Sequence, residues 1–102
     1  AVNALWAKAV QSKWAHQPVW VQGDLALGNI LVRDKRFYSL IDFGCMAVGD
    51  PACDLVIAWT FFEGESRRAF QSHLSLDTRD PNIWDRARGW ALWKALITLA
   101  AP

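Results

Sequence analysis

The chain has 102 residues and a formal net charge of +1, with eleven basic and ten acidic side chains mixed along its length, so no basic stripe is available for a nucleic-acid backbone. The longest apolar stretches, around residues 55–62 and 90–101, are too short to span a bilayer, and Lys94 interrupts the second. The N-terminus carries no recognisable secretory signal. We therefore expect a cytoplasmic protein in which Cys45 and Cys53 are free thiols.

Apolar residues are abundant for so short a chain. They make up 53% of the sequence, and seven of them are Trp. A domain of this size buries only a modest fraction of its surface. This excess of apolar residues predicts that the chain contacts further protein surface. That surface would be supplied either by a second copy in a homo-oligomer or by the missing part of a larger protein.

The first half of the chain predicts one helix followed by three short strands. Residues 2–14 carry apolar side chains at helical spacing, and Pro18 disfavours helical geometry in the residue before it. Strands are predicted over 19–21, 29–32 and 37–41, and a polar turn joins the last two as a hairpin. A loop bounded by glycines separates the first two strands.

The second half predicts helices. Asp50-Pro51 and Asp80-Pro81 each combine a favoured N-cap with a proline that is tolerated at the first helical position. They predict helices over residues 50–63 and 80–99, with another over 66–74. The element order indicates an α+β fold, in which a short β-hairpin or three-stranded sheet packs with about four helices.

Two short motifs flank the predicted hairpin. Asp24 and Asn29 stand five positions apart in the loop, as D-x-x-x-x-N, and the third strand ends in Asp42-Phe43-Gly44. Phosphoryl transfer needs groups that position the reactants and neutralise charge. Asp24 can orient or receive the proton of an attacking hydroxyl, while Asn29 and Asp42 offer hard oxygens of the kind that Mg²⁺ prefers. Because a hairpin reverses the chain, we expect these side chains to converge.

Three segments together resemble the aminoglycoside phosphotransferase family. Residues 19–32 read V-W-V-Q-G-D-L-A-L-G-N-I-L-V, residues 41–44 read I-D-F-G, and residues 49–55 read G-D-P-A-C-D-L. With similar flanking segments at 5–14 and 84–99, the likeness covers nearly the whole chain. It implies the C-terminal lobe of a protein-kinase-like fold. It also implies transfer of the γ-phosphate of ATP or GTP to a hydroxyl of a small molecule, such as an aminoglycoside, choline or a sugar.

The resemblance implies a role for each motif residue. Asp24 would be the catalytic Asp, Asn29 and Asp42 would be the Mg²⁺ ligands, and Asp54 would be a buried acid bonded to the catalytic-loop backbone. Gln22 stands where the family has a His that supports this loop. An amide can still donate and accept hydrogen bonds there, but it cannot titrate.

The sequence departs from the family pattern beside the catalytic Asp and in the part that grips the nucleotide. Ala26-Leu27 replaces the family's His-Pro, and the residues before Gln22 contain neither a glycine-rich phosphate loop nor an identifiable pair of strand Lys and helix Glu. No residue can therefore be assigned to the nucleotide. We expect residues 1–102 to be a single partial domain, a C-lobe without its N-lobe, that is inactive alone and binds Mg²⁺ weakly.

Two functions are compatible with this pattern. The chain is either a fragment or truncated homologue of a phosphotransferase, competent when an N-lobe is supplied, or a free-standing, non-catalytic oligomeric protein derived from that lobe. Preservation of Asp24, Asn29 and Asp42 favours the first function. The short chain and the changes at Gln22 and Ala26-Leu27 favour the second.

Other conspicuous residues have ordinary structural interpretations. Asp50 is predicted to cap a helix and not to catalyse. Cys45 and Cys53 are predicted to be small buried residues, since no cluster of His and Cys accompanies them. His16 and His73 are expected at the surface. The Trp side chains could line a sugar-binding cleft, but most of them are expected to be packed.

Overall fold

The computed structural model describes residues 1–74 and 80–101, and within these ranges it has the predicted α+β composition. The helices there are α1 (Val2–Ala9), α2 (Ile57–Thr60), α3 (Gly64–Leu74) and α4 (Ile83–Ala100). The strands are β1 (Val19–Val21), β2 (Ile30–Arg33), β3 (Arg36–Leu40) and β4 (Ala47–Gly49). Short 3₁₀ helices cover Leu27–Asn29 and Pro51–Val56. None of the described helices is both long enough and apolar enough to cross a membrane.

The strands form two separate two-stranded antiparallel sheets, so the prediction of a three-stranded sheet is wrong. β2 and β3 form the predicted hairpin, in which Ile30 lies opposite Leu40. β1 pairs instead with β4, a strand that was not predicted, and Val19 lies opposite Gly49. A strand of three residues is too short to show a period-two pattern. Its pairing therefore becomes visible only once the chain is folded.

A tight turn closes the hairpin and brings its two ends together. Asp34 and Lys35 both have positive φ, 51° and 64°, between the paired residues Arg33 and Arg36. Two-residue turns of this kind match the right-handed twist of the strands that they join. At the other end of the hairpin, the backbone of the D-x-x-x-x-N motif is hydrogen-bonded to the segment that carries the D-F-G motif.

Asp50 caps the segment that follows it, as predicted. Its side chain accepts a hydrogen bond from the Ala52 backbone nitrogen at 3.0 Å, and Pro51 follows directly. The segment winds first as a 3₁₀ helix and becomes α-helical at Ile57. Tight winding of this kind is common at helix N-termini. Two short helices thus replace the predicted continuous helix over residues 50–63.

The first and last helices are shorter than predicted. α4 begins at Ile83 because Asp80 forms a turn before it, accepting a hydrogen bond from the Asn82 backbone nitrogen at 3.1 Å. α1 ends at Ala9, where it packs directly on α4: a Cβ added to Gly89 would lie 2.5 Å from the Ala9 Cβ. This close approach requires glycine at position 89.

The hydrophobic core is small and lies between the 3₁₀ segment at 51–56 and α4. Its buried members, with the half-buried aromatic residues that pack against them, are Ala52, Leu55, Ile83, Ala87, Trp14, Trp59, Phe70 and Trp84. The radius of gyration is 14.0 Å, against about 13 Å for a compact domain of this length. Many large apolar side chains outside this core are exposed, among them Trp20 and Leu99.

Four of the seven Trp side chains are exposed, so the prediction that most would be packed is wrong. They are Trp6, Trp20, Trp90 and Trp93, on α1, β1 and α4. The small core covers one side of each of these elements and leaves the other open. Cys45 is also exposed, contrary to expectation, whereas Cys53 is half-buried.

Candidate active site

One carboxylate binds two backbone nitrogens at the start of the loop that carries Asp24 and Asn29. Asp54 accepts a hydrogen bond from the Gln22 nitrogen at 2.7 Å through Oδ2 and from the Gly23 nitrogen at 3.0 Å through Oδ1. Hydrogen bonds to an ionised acceptor are stronger than bonds between neutral groups. The half-buried Asp54 therefore holds both peptide planes in a defined orientation, just before Asp24.

The Gln22 side chain connects the loop to the D-F-G segment. It is buried, and its amide nitrogen donates to the carbonyl oxygens of Ile41 at 3.0 Å and Asp42 at 2.7 Å. Its amide oxygen accepts from the backbone nitrogen of Asp24 at 2.7 Å. Both hydrogens of the amide group and its oxygen are thus used to tie the two motifs together. A neutral side chain with two donors on one atom suits this position.

Gly23 allows the loop to lie directly against the turn that follows the D-F-G segment. Its φ is +89°, and a Cβ there would lie 2.1 Å from the carbonyl oxygen of Cys45. Both the left-handed backbone and the missing side chain are therefore required. The approach brings the turn at Cys45 against the residue that precedes Asp24.

Asp24 contacts Asn29 and Lys94. The Asn29 amide nitrogen donates to the backbone oxygen of Asp24 at 2.8 Å and to its Oδ2 at 3.3 Å. On the other side of the carboxylate, Oδ1 lies 3.4 Å from Lys94 Nζ, at the middle of α4. The Asp24 side chain remains 41% exposed. It is therefore oriented by two partners and still accessible to a ligand.

The hairpin brings Asp42 to the same end as Asn29. The backbone nitrogen of Ile41 donates to the Asn29 oxygen at 3.0 Å, which joins the start of β2 to the end of β3. Asp42 is exposed and has φ +64°, and its Oδ1 accepts from Gly44 at 3.4 Å. A positive φ is uncommon outside glycine, and such residues concentrate at functional sites.

The oxygens of Asn29 and Asp42 fit Mg²⁺ better than they fit a softer metal. Since the Asn29 amide nitrogen binds Asp24, its oxygen is the atom left to act as a ligand. Across residues 1–74 and 80–101, no three or more His, Cys, Asp or Glu side chains are grouped to hold a metal. A site here would rest on two protein oxygens. Mg²⁺ is often held by one or two carboxylate ligands, with phosphates and water completing its shell.

A cavity of about 400 Å³ opens beside Asp24. The loop and the β4 region form one side, and Trp90, Trp93, Lys94 and Ile97 of α4 form the other. Its volume lies within the range of small-molecule sites in proteins. The candidate catalytic carboxylate thus faces a space large enough for an acceptor.

A buried arginine, not identified from the sequence, fixes α4 against the start of the 3₁₀ segment. Arg86 binds Asp50 at 2.8 Å, Asp80 at 2.6 Å and the Ser12 hydroxyl at 2.8 Å. Burial lowers the pKa of Arg86, but the hydrogen bonds to Asp50 and Asp80 outweigh it and raise that pKa above its ordinary value. The bond to Arg86 likewise holds the pKa of Asp80 below its usual range.

Cys53 lacks the properties of a nucleophile. Burial, followed by the charges of Asp54 and Asp50, raises the pKa of its thiol to about 11. The thiol therefore stays protonated at neutral pH, and only the thiolate is reactive. This side chain lines the cavity as an uncharged group.

Lys94 is the second residue that sequence reasoning missed. It is the one charged residue in the apolar stretch 90–101, and that isolation is a signal that could have drawn attention to it. A charge retained in an apolar helix face usually has a partner. The partner, Asp24, lies 70 positions earlier, so no spacing rule links the two residues.

A backbone-bound loop carrying Asp24, followed by a hairpin and a D-F-G segment, is compatible with a kinase-like protein. The chain belongs to the phosphotransferase enzyme family, whose model matches residues 1–90. The match includes every motif residue discussed above and ends before Lys94. No solved structure gives a significant match to the chain.

Proposed function

We propose that this chain forms the catalytic-loop half of a phosphotransferase that acts on a hydroxyl group of a small molecule. The proposal depends on Asp24, a partly exposed carboxylate on a loop held by Gln22 and Asp54, at the edge of a cavity of ligand size. Phosphoryl transfer depends mainly on positioning. A fixed carboxylate can orient an acceptor hydroxyl and receive its proton. Membership of the phosphotransferase family supports the reaction class.

Asn29 and Asp42 are the proposed ligands of Mg²⁺, with ATP or GTP as the phosphoryl donor. When bound, Mg²⁺ neutralises charge on the donor phosphates. Asn29 donates to Asp24 through its amide nitrogen. The same side chain would therefore connect the metal ligands to the residue that handles the acceptor.

We further propose that the groups gripping the nucleotide lie outside residues 1–102, in an N-lobe of the same polypeptide or of another, and that the assembled enzyme is cytoplasmic. The residues before Gln22 contain no glycine-rich loop that could hold the phosphates. Without such groups the donor is not positioned, and positioning supplies much of the rate enhancement. The 102 residues alone are therefore expected to be inactive.

Coupled assays with ATP and GTP against aminoglycosides, amino alcohols and sugars test this proposal. The isolated chain should show no turnover. Fused to the nucleotide-binding lobe of an active family member, it should catalyse metal-dependent transfer, which Asp24→Asn lowers by about 100-fold or more. Full activity of the fused Asp24→Asn variant would overturn the role of Asp24. Turnover by the isolated chain would overturn the need for an N-lobe, and no turnover from a folded, nucleotide-binding fusion would overturn the reaction class.

Mg²⁺ binding is tested separately on the isolated chain by NMR titration. Weak, saturable shifts are expected around Asp42 and Asn29, because two oxygens without phosphates leave most of the coordination shell to water. Asp42→Ala should abolish the shifts. Asp34→Asn removes an exposed carboxylate in the hairpin turn but keeps a side chain that tolerates the positive φ there, so it is the control that should leave the shifts unchanged. Equal responses from both variants would place the metal elsewhere.

A second candidate function, a non-catalytic oligomeric protein, is favoured by the exposed apolar surface of α4. Leu96 and Leu99 are 51% and 82% exposed, and Trp6 of α1 is exposed as well. Soluble monomers rarely leave large contiguous apolar patches uncovered. We propose a symmetric homodimer in which this part of α4 packs on the same surface of a second copy.

Sedimentation velocity at micromolar concentration distinguishes a dimer from a monomer. Leu96→Glu should dissociate the dimer, because it places a charge in the proposed interface. Thr98→Glu introduces the same charge on the same helix, two positions away and on a different face, and should leave the dimer intact. A soluble wild-type monomer would refute this second function.

A further inference from the structure

The wall of the cavity beside Asp24 that α4 supplies is aromatic. Trp90, Trp93, Lys94 and Ile97 follow the spacing i, i+3, i+4, i+7, which places them on one face of a helix. The Trp90 and Trp93 rings lie edge to face, with their centroids 5.6 Å apart. Aromatic walls of this kind bind the apolar faces of flat rings and sugars.

The charges in this cavity cancel. Among the described residues that line it, Asp24 and Lys94 are the charged ones, and they lie 3.4 Å apart. The remaining lining side chains are apolar or are the thiols of Cys45 and Cys53. A ligand entering this space meets one neutralised carboxylate and no second carboxylate.

We propose that this cavity selects a neutral hydroxyl compound with an apolar ring face, and that it rejects polycations. This inference rests on the proposed function, since it takes the cavity as the acceptor site. A polycation would have to compete with Lys94 for Asp24 and would leave the partly buried ammonium group without a partner. The new ammonium contact would only replace the one that Lys94 already makes with this partly exposed carboxylate, so a polycation gains little at Asp24 and brings its other positive charges close to Lys94. A neutral acceptor can donate its hydroxyl proton to Asp24 while the ion pair stays closed, because a carboxylate has about four acceptor positions.

The test is an NMR titration of the isolated chain at low ionic strength, without nucleotide. The probes are phenyl β-glucoside, which is neutral, and kanamycin, which is a polycation. The readouts are the indole N–H signals of Trp90 and Trp93 and the backbone amide of Gly23. The glucoside should shift all three signals saturably. Kanamycin should bind at least about tenfold more weakly, a difference of about 1.4 kcal/mol.

Charge variants connect this selectivity to Lys94. Lys94→Glu leaves two carboxylates in the cavity, so kanamycin should now shift the same signals with an affinity about tenfold higher or more. Lys13→Glu changes the net charge equally at an exposed position away from the cavity and should not alter kanamycin binding. The Lys13 control separates a local effect from a general attraction of polycations to a more acidic protein.

Several outcomes would overturn the inference. These are tighter binding of kanamycin than of the glucoside to the wild-type cavity, equal effects of Lys94→Glu and Lys13→Glu, and no binding by either probe. The titration needs neither nucleotide nor turnover. Its failure is therefore distinguishable from failure of the phosphotransferase proposal, which the fused Asp24→Asn variant tests.

Discussion

The carboxylate of Asp54 lies 2.7 Å from the backbone nitrogen of Gln22, although 32 positions separate the two residues. The same carboxylate binds Gly23, so one side chain from the 3₁₀ segment holds the first two peptides of the loop that carries Asp24. The loop is therefore anchored from outside its own sequence. The orientation of Asp24 depends on this anchor as well as on the loop itself.

Asp54→Asn should lower the free energy of unfolding by about 1.5–3 kcal/mol, the range for hydrogen bonds to a charged group. An amide retains one acceptor oxygen, but its NH₂ group then faces a backbone donor. Urea unfolding measures the loss of stability, and the NMR chemical shift of the Gly23 amide reports a change in the conformation of the loop. Glu65→Gln is the control, since Glu65 is exposed and its contact with Arg68 is long, so its effect should be close to zero. Equal stability of the two variants would contradict the proposed role of Asp54 in holding the loop.

Arg86→Met should lower the free energy of unfolding by about 3–5 kcal/mol, because it leaves the buried Asp80 carboxylate without its partner. Arg68→Met removes an exposed guanidinium and should have little effect. If the pair explains the loss, the double variant Arg86→Met/Asp80→Asn should be less destabilised than the sum of the single variants. Additive losses, measured by urea unfolding, would show that Arg86 acts independently of Asp80.

Asp80 should give the stability a defined dependence on pH. The hydrogen bond from Arg86 holds the pKa of the Asp80 carboxyl below its ordinary value of 3.8 in the folded chain. At pH values between the folded-state pKa and the ordinary pKa of Asp80, the unfolded chain binds more protons than the folded chain, so the free energy of unfolding rises with pH. The stability that Asp80 contributes is complete above the ordinary pKa and is lost as pH falls through the folded-state pKa. Urea unfolding at several acidic pH values should therefore show a shallower loss of stability for Asp80→Asn than for the wild type, and identical pH dependences would contradict this role of Asp80.

The two cysteines should differ in their rates of alkylation. Burial raises the pKa of Cys53 to about 11, so its thiolate fraction at neutral pH is about 100-fold below that of an ordinary cysteine, whereas Cys45 is exposed. Mass spectrometry after brief treatment with iodoacetamide should find one modified site. Cys45→Ser should remove this rapid reaction, and Cys53→Ser should preserve it. Rapid labelling of the Cys45→Ser variant would contradict the burial of Cys53.

Features that depend on neighbouring residues were predictable from the sequence. The hairpin, the cap at Asp50 and the order of the two motifs all follow from short spacings and from local turn chemistry. The hairpin turn also explains why Asn29 lies beside Ile41, the residue before Asp42, since it returns the chain directly. The family could be recognised for the same reason, because its motifs are contiguous.

Features that depend on distant residues were not predictable. The pairing of β1 with β4 was missed because three residues carry no usable periodicity. The exposed Trp side chains were missed because apolar residues predict burial in general, without indicating how far a small core can cover them.

The sequence was sufficient to recognise the family and the α+β class, and it singled out Asp24, Asn29 and Asp42 as candidate site residues. The ion pair between Lys94 and Asp24, and the pairing of Arg86 with both Asp50 and Asp80, became visible only in the folded structure. These ion pairs connect positions up to 70 residues apart. Side-chain pairing at that separation follows from where the backbone places each group in space, and no local pattern along the chain specifies it.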